Sequence, residues 1–509
     1  MEEETQTLTV HLGEITSDSP EGRKNPFFCT LQISRGGIIE RGVYVRIEDE
    51  TYGKQFIGQV IDGPYFVRDD SGVRTLSGAD IRPLQKLCTV ELTSVSTNGE
   101  RGLVQTRPSP GSKAFVMDPE SVQEYVGATG DLSLGRLASE KAVKLHINSK
   151  TLNRHLGIFG TTGSGKSNTL QVLTEEASRA GLAVLIFDVE GEYVKLNEPT
   201  TSLINVLKEF GEEPRRIRDL RVYSPISNEQ ASPTQLKFSI PFAKVNLEVF
   251  SEILGLTAQE RIMFLDMIRK TKEYLGFESY TLHTVVDRLS RRLEAQVENP
   301  TLPEAIAEAN MSLYTKLAVI DRLGLMDVPD TSELEPSELF VPGRVSVFDL
   351  STSLDAVRNV VIAYNLDKIF RAKIENTNHE ADTPILILIE EVHTFISREK
   401  RDQMLGTLTL MSELARRGRK RGISLGLVSQ QPARLPPELF ETINTRIIHR
   451  LSSAVNIKVL RESTGNVPES LWQAVPSLGR GEALVVSPAY QSAVLAQIRP
   501  AATKRLQTE

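Results

Sequence analysis

The sequence predicts an α/β protein in which a parallel sheet, covered by helices on both faces, follows a small β-barrel and is interrupted by an inserted helical subdomain. Three observations predict it. Short β-branched runs separated by Gly, Pro, Asp and Asn clusters fill residues 1–145, and long apolar strands alternate with helical segments beyond them. Residues 243–335 carry apolar positions three and four apart, with charges on the opposite faces.

The barrel is read from FFCTLQI, VYVRI, FIGQV and LCTVELTSV, whose spacing and turn residues suit a closed or sandwiched antiparallel sheet. The sheet domain begins at residue 146, and its first part runs to 242. Its candidate strands are LGIFG (156–160), AVLIFDV (183–189), VSVFDL (345–350), ILILIE (385–390) and SLGLVS (424–429). Each ends on a polar or small residue, so chemistry is expected at one sheet edge. LEVFSEILGL, ERIMFLDMIRKTKEYLG and LHTVVDRLSRRLEAQV form the helical insertion, and residues 336–509 complete the sheet domain with two final strands and a polar tail.

Composition narrows the class. A chain of 509 residues with 40% hydrophobic and 25% charged residues is ordinary globular material. The start, MEEETQTLTV, lacks the features of a secretory leader, and no apolar run approaches the roughly 18 residues that span a bilayer, so a cytoplasmic location without a membrane partner is expected. Cys29 and Cys88 are far apart in apolar company, which supports buried thiols over a disulfide framework or zinc site. A net charge of −7 argues against a surface coated for nucleic acid but leaves room for a basic patch within an assembly.

The densest signal is IFGTTGSGKSNTL, residues 158–170. Gly160, Thr161, Thr162, Gly163, Ser164, Gly165, Lys166 and Ser167 fit G-x-x-x-x-G-K-[ST] at every constrained position, between an apolar strand and a helix-like segment with a Gly stop. Glycines let the backbone N–H groups curl around a phosphate, and the following helix presents its positive end to the same anion. Lys166 would reach the β- and γ-phosphates of ATP, Ser167 would ligate Mg2+, and Asn168 closes the candidate cradle.

Hydrolysis needs a metal partner and a group that orients water. Glu390, at the end of ILILIE, is a candidate for the magnesium shell, and Glu391 for polarising the attacking water. Adjacent carboxylates there are costly unless a cation is near. Asp188, in FDVEGEY, either faces the same site, with Glu190 and Glu192 following in a turn, or opens that turn by hydrogen-bonding its own backbone. Gln430, after LGLVS, is a candidate contact to both water and γ-phosphate. His393 reads as a structural hydrogen-bonding residue.

Arg416, Arg417, Arg419, Lys420 and Arg421 crowd the end of a helix, more cations than capping requires. One is a candidate arginine finger for a neighbouring subunit's ATP, and others suit nucleic-acid phosphates. Arg154, ahead of the loop strand, is a further finger candidate.

Together, RHLGIFGTTGSGKSNT, FDVEGEY, VSVFDLS, LILIEEVH, ARRGRKRGISLGLVSQQP and LGRGEALVV resemble the HerA family of hexameric DNA translocases, in the HerA/FtsK branch of P-loop ATPases. The resemblance implies a RecA-like ATPase core, an N-terminal barrel like that of ATP synthase subunits, and a homo-hexamer with ATP between subunits. It also implies that the ring pumps double-stranded DNA through its centre and works with a nuclease such as NurA. By motif position Lys166 and Ser167 are the nucleotide and magnesium residues, Glu391 the catalytic carboxylate, and Arg416 the finger acting in trans, with Arg417 and Arg419 beside it. Two positions depart from the family pattern: Glu390 replaces an Asp, so the metal contact shifts or passes to Asp188, and Gln431 replaces an Arg. Bacterial relatives also serve in anti-phage systems with a sirtuin-like NADase or a nuclease. A ring scaffold that assembles and activates such an effector is therefore the alternative to a DNA motor, and a motor acting on protein is a third reading.

Overall fold

The computed structural model describes residues 10–16, 27–34, 39–68, 84–97, 100–152, 154–228, 232, 234–275, 280–298, 303–329, 331, 333–375, 381–465 and 467–506. The acidic start that was read for a leader lies outside them, save for Val10. No helix among the described residues is long and apolar enough to cross a membrane.

The strands are β1 (His11–Ile15), β2 (Phe28–Ile33), β3 (Tyr44–Asp49), β4 (Lys54–Arg68), β5 (Leu84–Thr97), β6 (Glu100–Gly102) and β7 (Lys113–Val116) in the first part of the chain. They pair in the order β2-β1-β7-β3-β4-β5-β6, and β2 also pairs with β5, which closes six of them into a barrel. Closure removes the exposed edges that an open sheet of this size would leave. Leu31, Val45, Phe56, Cys88, Val90 and Ala114 fill the interior, and both cysteines are buried. All four runs read as barrel strands lie in β2–β5.

The large sheet has twelve strands. They are β8 (Leu132–Leu137), β9 (Lys144–Ile147), β10 (Leu156–Phe159), β11 (Ala183–Asp188), β12 (Leu220–Pro225), β13 (Leu236–Phe238), β14 (Val345–Asp349), β15 (Ile385–Ile389), β16 (Ile423–Ser429), β17 (Thr445–Ile448), β18 (Glu482–Val486) and β19 (Val494–Ile498). Their order is β13-β12-β14-β11-β15-β16-β10-β17-β18-β19-β8-β9, parallel from β13 to β17 and antiparallel beyond. Every residue of β10, β11, β14, β15 and β16 is buried, as expected of strands covered on both faces. The five strands expected from apolar runs are these five.

Two parts differ from the sequence reading. β8 and β9, most of which fell in the segment assigned to the barrel, hydrogen-bond into the large sheet through β19. β17 was not anticipated because TRII reads as polar. Its Arg446 is buried, and the guanidinium donates to the carbonyls of Phe440 (2.8 Å) and Ile443 (3.1 Å), so the charge is solvated by backbone. Between β13 and β14 the helices Leu247–Ile253, Ala258–Leu275, Leu282–Glu298 and Glu304–Arg322 form the expected helical insertion, centred on Phe242, Phe250, Phe264 and Tyr280.

Candidate nucleotide site

Three neighbouring parallel strands, β15, β16 and β10, end side by side, and each delivers one part of the site. The loop after β10 enters the helix Lys166–Arg179 through Gly163 (φ 74°) and Gly165 (φ 122°), conformations that side chains rarely adopt. A Cβ on Gly160 would lie 2.6 Å from Ser164 Oγ and 2.7 Å from His449 Cβ, so that glycine is demanded by close approach. The loop is held from below. Ser164 Oγ donates to Thr161 O (2.7 Å), the Gly481 amide donates to Ser164 O (3.0 Å), and the Thr161 amide donates to Arg450 O (2.9 Å). His449 is fully buried between Thr169 Oγ1 (2.8 Å) and Glu482 O (2.8 Å).

Lys166 is buried within the loop, with its ammonium donating to Thr161 O at 3.0 Å. Burial lowers its pKa, and the charges of Glu391, Glu390 and Glu192 oppose the shift. Glu390 follows β15 and is also buried. Tyr193 Oη donates to its Oε1 at 2.8 Å, while its Oε2 accepts no hydrogen bond. Burial, reinforced by Asp188, raises its pKa well above the carboxylate range. Glu391 adopts φ 41°, a left-handed conformation uncommon for a residue other than glycine. Its Oε1 accepts from Gln430 Nε2 at 2.7 Å, and Gln430 Oε1 accepts from Thr162 Oγ1 at 2.7 Å. His393 Nδ1 lies 3.2 Å from both Glu391 Oε2 and Ser429 Oγ, a structural contact.

A cavity of about 300 Å³ lies over this edge, lined by Thr162–Gly163, Gly165–Asn168, Glu190, Glu192, Glu390, Glu391, Gln430, Arg480 and Arg505. Ser167 thus faces it. Asn168 lines it as well, but both ends of its amide are engaged, with Arg499 O (2.8 Å) and the Ala501 amide (2.9 Å), so it fastens the loop helix to the end of β19. A second cavity shares Gly165, Asn168, Arg480 and Arg505 with the first and is also lined by Leu203, Val206 and Pro500. The residues present suit Mg–nucleotide: a backbone cradle with a lysine, a hydroxyl at Ser167, and a buried carboxylate oxygen on Glu390 left without a donor.

Asp188 does not line the cavity. Its Oδ1 accepts the amides of Glu190 (3.2 Å), Gly191 (2.7 Å) and Glu192 (3.2 Å), and its Oδ2 that of Tyr193 (2.9 Å). Four amides spend its lone pairs, so Asp188 shapes the turn that carries Glu190 and Glu192 to the site, the second of the two readings open at the sequence level.

The basic candidates lie elsewhere. Arg416 to Arg421 precede β16 and Arg154 precedes β10, at the edge opposite the loop; seven residues of β16 at about 3.3 Å rise separate the two edges by about 20 Å. Arg417 pairs with Glu413 (3.6 Å) over the Phe370 ring, and Arg421 donates to Arg417 O (3.1 Å). Arg154, Arg416, Arg419 and Lys420 are exposed and make no side-chain ion pair or hydrogen bond among the described residues. Sequence reasoning missed Arg480, Arg505 and His449. The first stands between two glycines in LGRGE, a signal that was available.

Fold and cradle together define a P-loop ATPase with a RecA-like core. The model of the family "Helicase HerA, central domain" matches residues 132–369. A curated relative from Saccharolobus solfataricus, "DNA double-strand break repair helicase HerA", is 26% identical over 386 residues, 74% of this chain and 70% of the relative. A second, "Probable DNA double-strand break repair helicase HerA" from Methanocaldococcus jannaschii, is 26% identical over 469 residues, 87% of this chain and 90% of its own. Among solved structures, the plasmid coupling protein TrwB in complex with an ATP analogue aligns with a TM-score of 0.53 at 13% identity, covering 77% of this chain and 94% of TrwB. VirB4 of Thermoanaerobacter pseudethanolicus aligns at 0.51 and 15%, covering 72% and 96%. The chain is thus similar to the HerA family, whose central-domain model covers its residues 132–369.

Proposed function

We propose that this protein is an ATP-driven motor that moves double-stranded DNA, working as a homo-hexameric ring with ATP at each seam. The observation that carries the reading is the separation of charge. Cradle, Glu391 and Gln430 converge at one sheet edge, while the unpaired arginines stand at the other, about 20 Å away along β16. Arg416 and Arg154 can meet a triphosphate only on another copy of the chain.

In this reading the loop amides and Lys166 bind the β- and γ-phosphates, and the nucleoside extends into the cavity past Leu203 and Val206. Ser167 and Glu390 hold Mg2+, which when bound neutralises charge on the transferring phosphoryl group. Glu391 accepts a proton from the attacking water, and Gln430 orients that water against Thr162. Arg416 from the neighbour stabilises the developing charge. Exposed Arg419 and Lys420 grip DNA phosphates without reading sequence. Relatives named as double-strand break repair helicases support DNA as the substrate. A nuclease that consumes the DNA, in DNA end processing or in anti-phage defence, is the partner this proposal expects.

The test is ATP hydrolysis with and without duplex DNA across a salt series. Duplex DNA raises kcat, and the stimulation falls steeply between about 50 and 200 mM salt as phosphate contacts are screened. Hydrolysis indifferent to DNA at every salt concentration, with a partner effector activated on ring assembly, would instead identify an ATP-regulated scaffold.

A further inference from the structure

His155 sits between Arg154 and the first residue of β10, and only 2% of it is exposed. Its backbone holds φ 59°, a left-handed conformation that a residue other than glycine keeps only when its surroundings enforce it. The surroundings are visible. The Leu425 amide donates to Nδ1 at 3.0 Å, and Nε2 lies 2.7 Å from Ala415 O. Since Nδ1 accepts, the proton of the neutral ring is on Nε2 and is donated to Ala415 O. Burial, with Arg419 nearby, favours that neutral form.

The partners are informative. Ala415 O is among the last carbonyls of the helix Leu405–Gly418, which have no partner within the helix, and the next residue is Arg416. Leu425 lies in β16, which pairs with β10. One imidazole therefore joins the residue after Arg154 to the residue before Arg416 and ties both to the central sheet. On the far side the Asn444 amide donates to Arg154 O (3.1 Å), and the Thr445 amide to His155 O (3.2 Å). Arg154 and Arg416 directly adjoin the two ends of this link and both are exposed, with exposed Arg419 nearby.

We propose that His155 is a positioning residue that sets the spacing of Arg154 and Arg416, so that the two guanidiniums act as one clamp on the triphosphate of a neighbouring copy. A triphosphate offers several anionic oxygens, and two forked donors held at fixed separation engage it with less freedom to lose than two independent side chains. The proposal rests on the reading that these arginines act in trans.

The experiment uses the full-length chain. In His155→Asn, the side-chain oxygen replaces Nδ1 as acceptor for Leu425 and the left-handed backbone is tolerated, but the side chain is too short to reach Ala415 O. Binding of a fluorescent ATP analogue to this variant stays within about twofold of wild type, while kcat falls about a hundredfold, the scale of a 1 Å misplacement. Mixing it with Lys166→Ala, which lacks a working cradle but presents an intact arginine edge, restores hydrolysis at seams where one variant's cradle meets the other's edge. His155→Gln, whose amide reaches Ala415 O, recovers most of the lost rate on its own. A parallel mixture of Arg416→Ala with Lys166→Ala separates the two claims. If it regains activity and the His155→Asn mixture does not, His155 acts within its own subunit and the proposal is wrong. If neither mixture regains activity, the in-trans reading fails and takes the proposal with it. Wild-type kcat in His155→Asn, or no recovery in His155→Gln, also overturns it.

Discussion

Gln430 Nε2 lies 2.7 Å from Glu391 Oε1, and through its own Oε1 the same amide holds Thr162 Oγ1 at 2.7 Å, so the candidate base and the phosphate loop share one side chain. In the proposed mechanism an amide in that place would register whether a γ-phosphate lies against the loop and pass the result to the carboxylate. Gln430→Ala should leave nucleotide affinity within a few-fold of wild type and lower kcat by about 10²-fold, the usual scale for one positioned donor. Pre-steady-state hydrolysis with a fluorescent nucleotide separates the two, and a loss confined to affinity would contradict the assignment.

Glu391→Gln keeps the shape of the side chain and removes the proton acceptor. Binding of Mg–ATP should persist, and turnover should drop about 10²- to 10⁴-fold. The same substitution at Glu390 has a different signature: Mg2+ dependence of nucleotide binding weakens, because in the proposed reading Glu390, with Ser167, holds the ion. Titrating Mg2+ against each variant distinguishes the two carboxylates.

Asp188 supports a turn, and its removal is a stability defect. Asp188→Ala leaves four amides without their acceptor, in a carboxylate position with no solvent exposure, and should cost about 3–5 kcal/mol. Thermal melting without nucleotide reads this directly. Wild-type melting with selectively lost Mg2+ affinity would return Asp188 to the metal site.

His449 gives the site a pH dependence with a definite sign. Burial lowers its pKa from 6.5 to about 4; the hydrogen bond to Glu482 O opposes this and the charge of Lys166 adds to it. Between those values the unfolded chain binds a proton that the folded site refuses. Stability from the neutral ring is therefore whole above about pH 6.5 and is lost as pH falls towards 4. The difference in melting temperature between wild type and His449→Gln should shrink over that window and stay constant above it.

How much of this was legible follows from how local each signal is. The cradle was readable because Gly160, Gly163, Gly165, Lys166 and Ser167 all serve one anion within eight positions. Glu390, Glu391 and Gln430 were readable because a parallel sheet brings strand ends together on one edge. Whether Asp188 faced the cavity or its own turn was undecidable, since both uses start from a carboxylate at a strand end. β8 and β9 looked like barrel strands because nothing local records that β19, more than three hundred residues later, pairs with β8. Arg505 reaches the site through the same long-range return. Arg417 and Arg421 looked equivalent to Arg416 until Glu413, Phe370 and the helix end were seen to occupy them.

The central claim is that the arginine completing each ATP site comes from another copy of the chain. It is tested most directly by mixing Arg416→Ala with Lys166→Ala, each inactive alone, at constant total concentration and following ATP hydrolysis. An arginine acting across the seam predicts hydrolysis in the mixture that neither variant shows alone, because seams form that join an intact cradle to an intact arginine. A mixture as inactive as its components would contradict it.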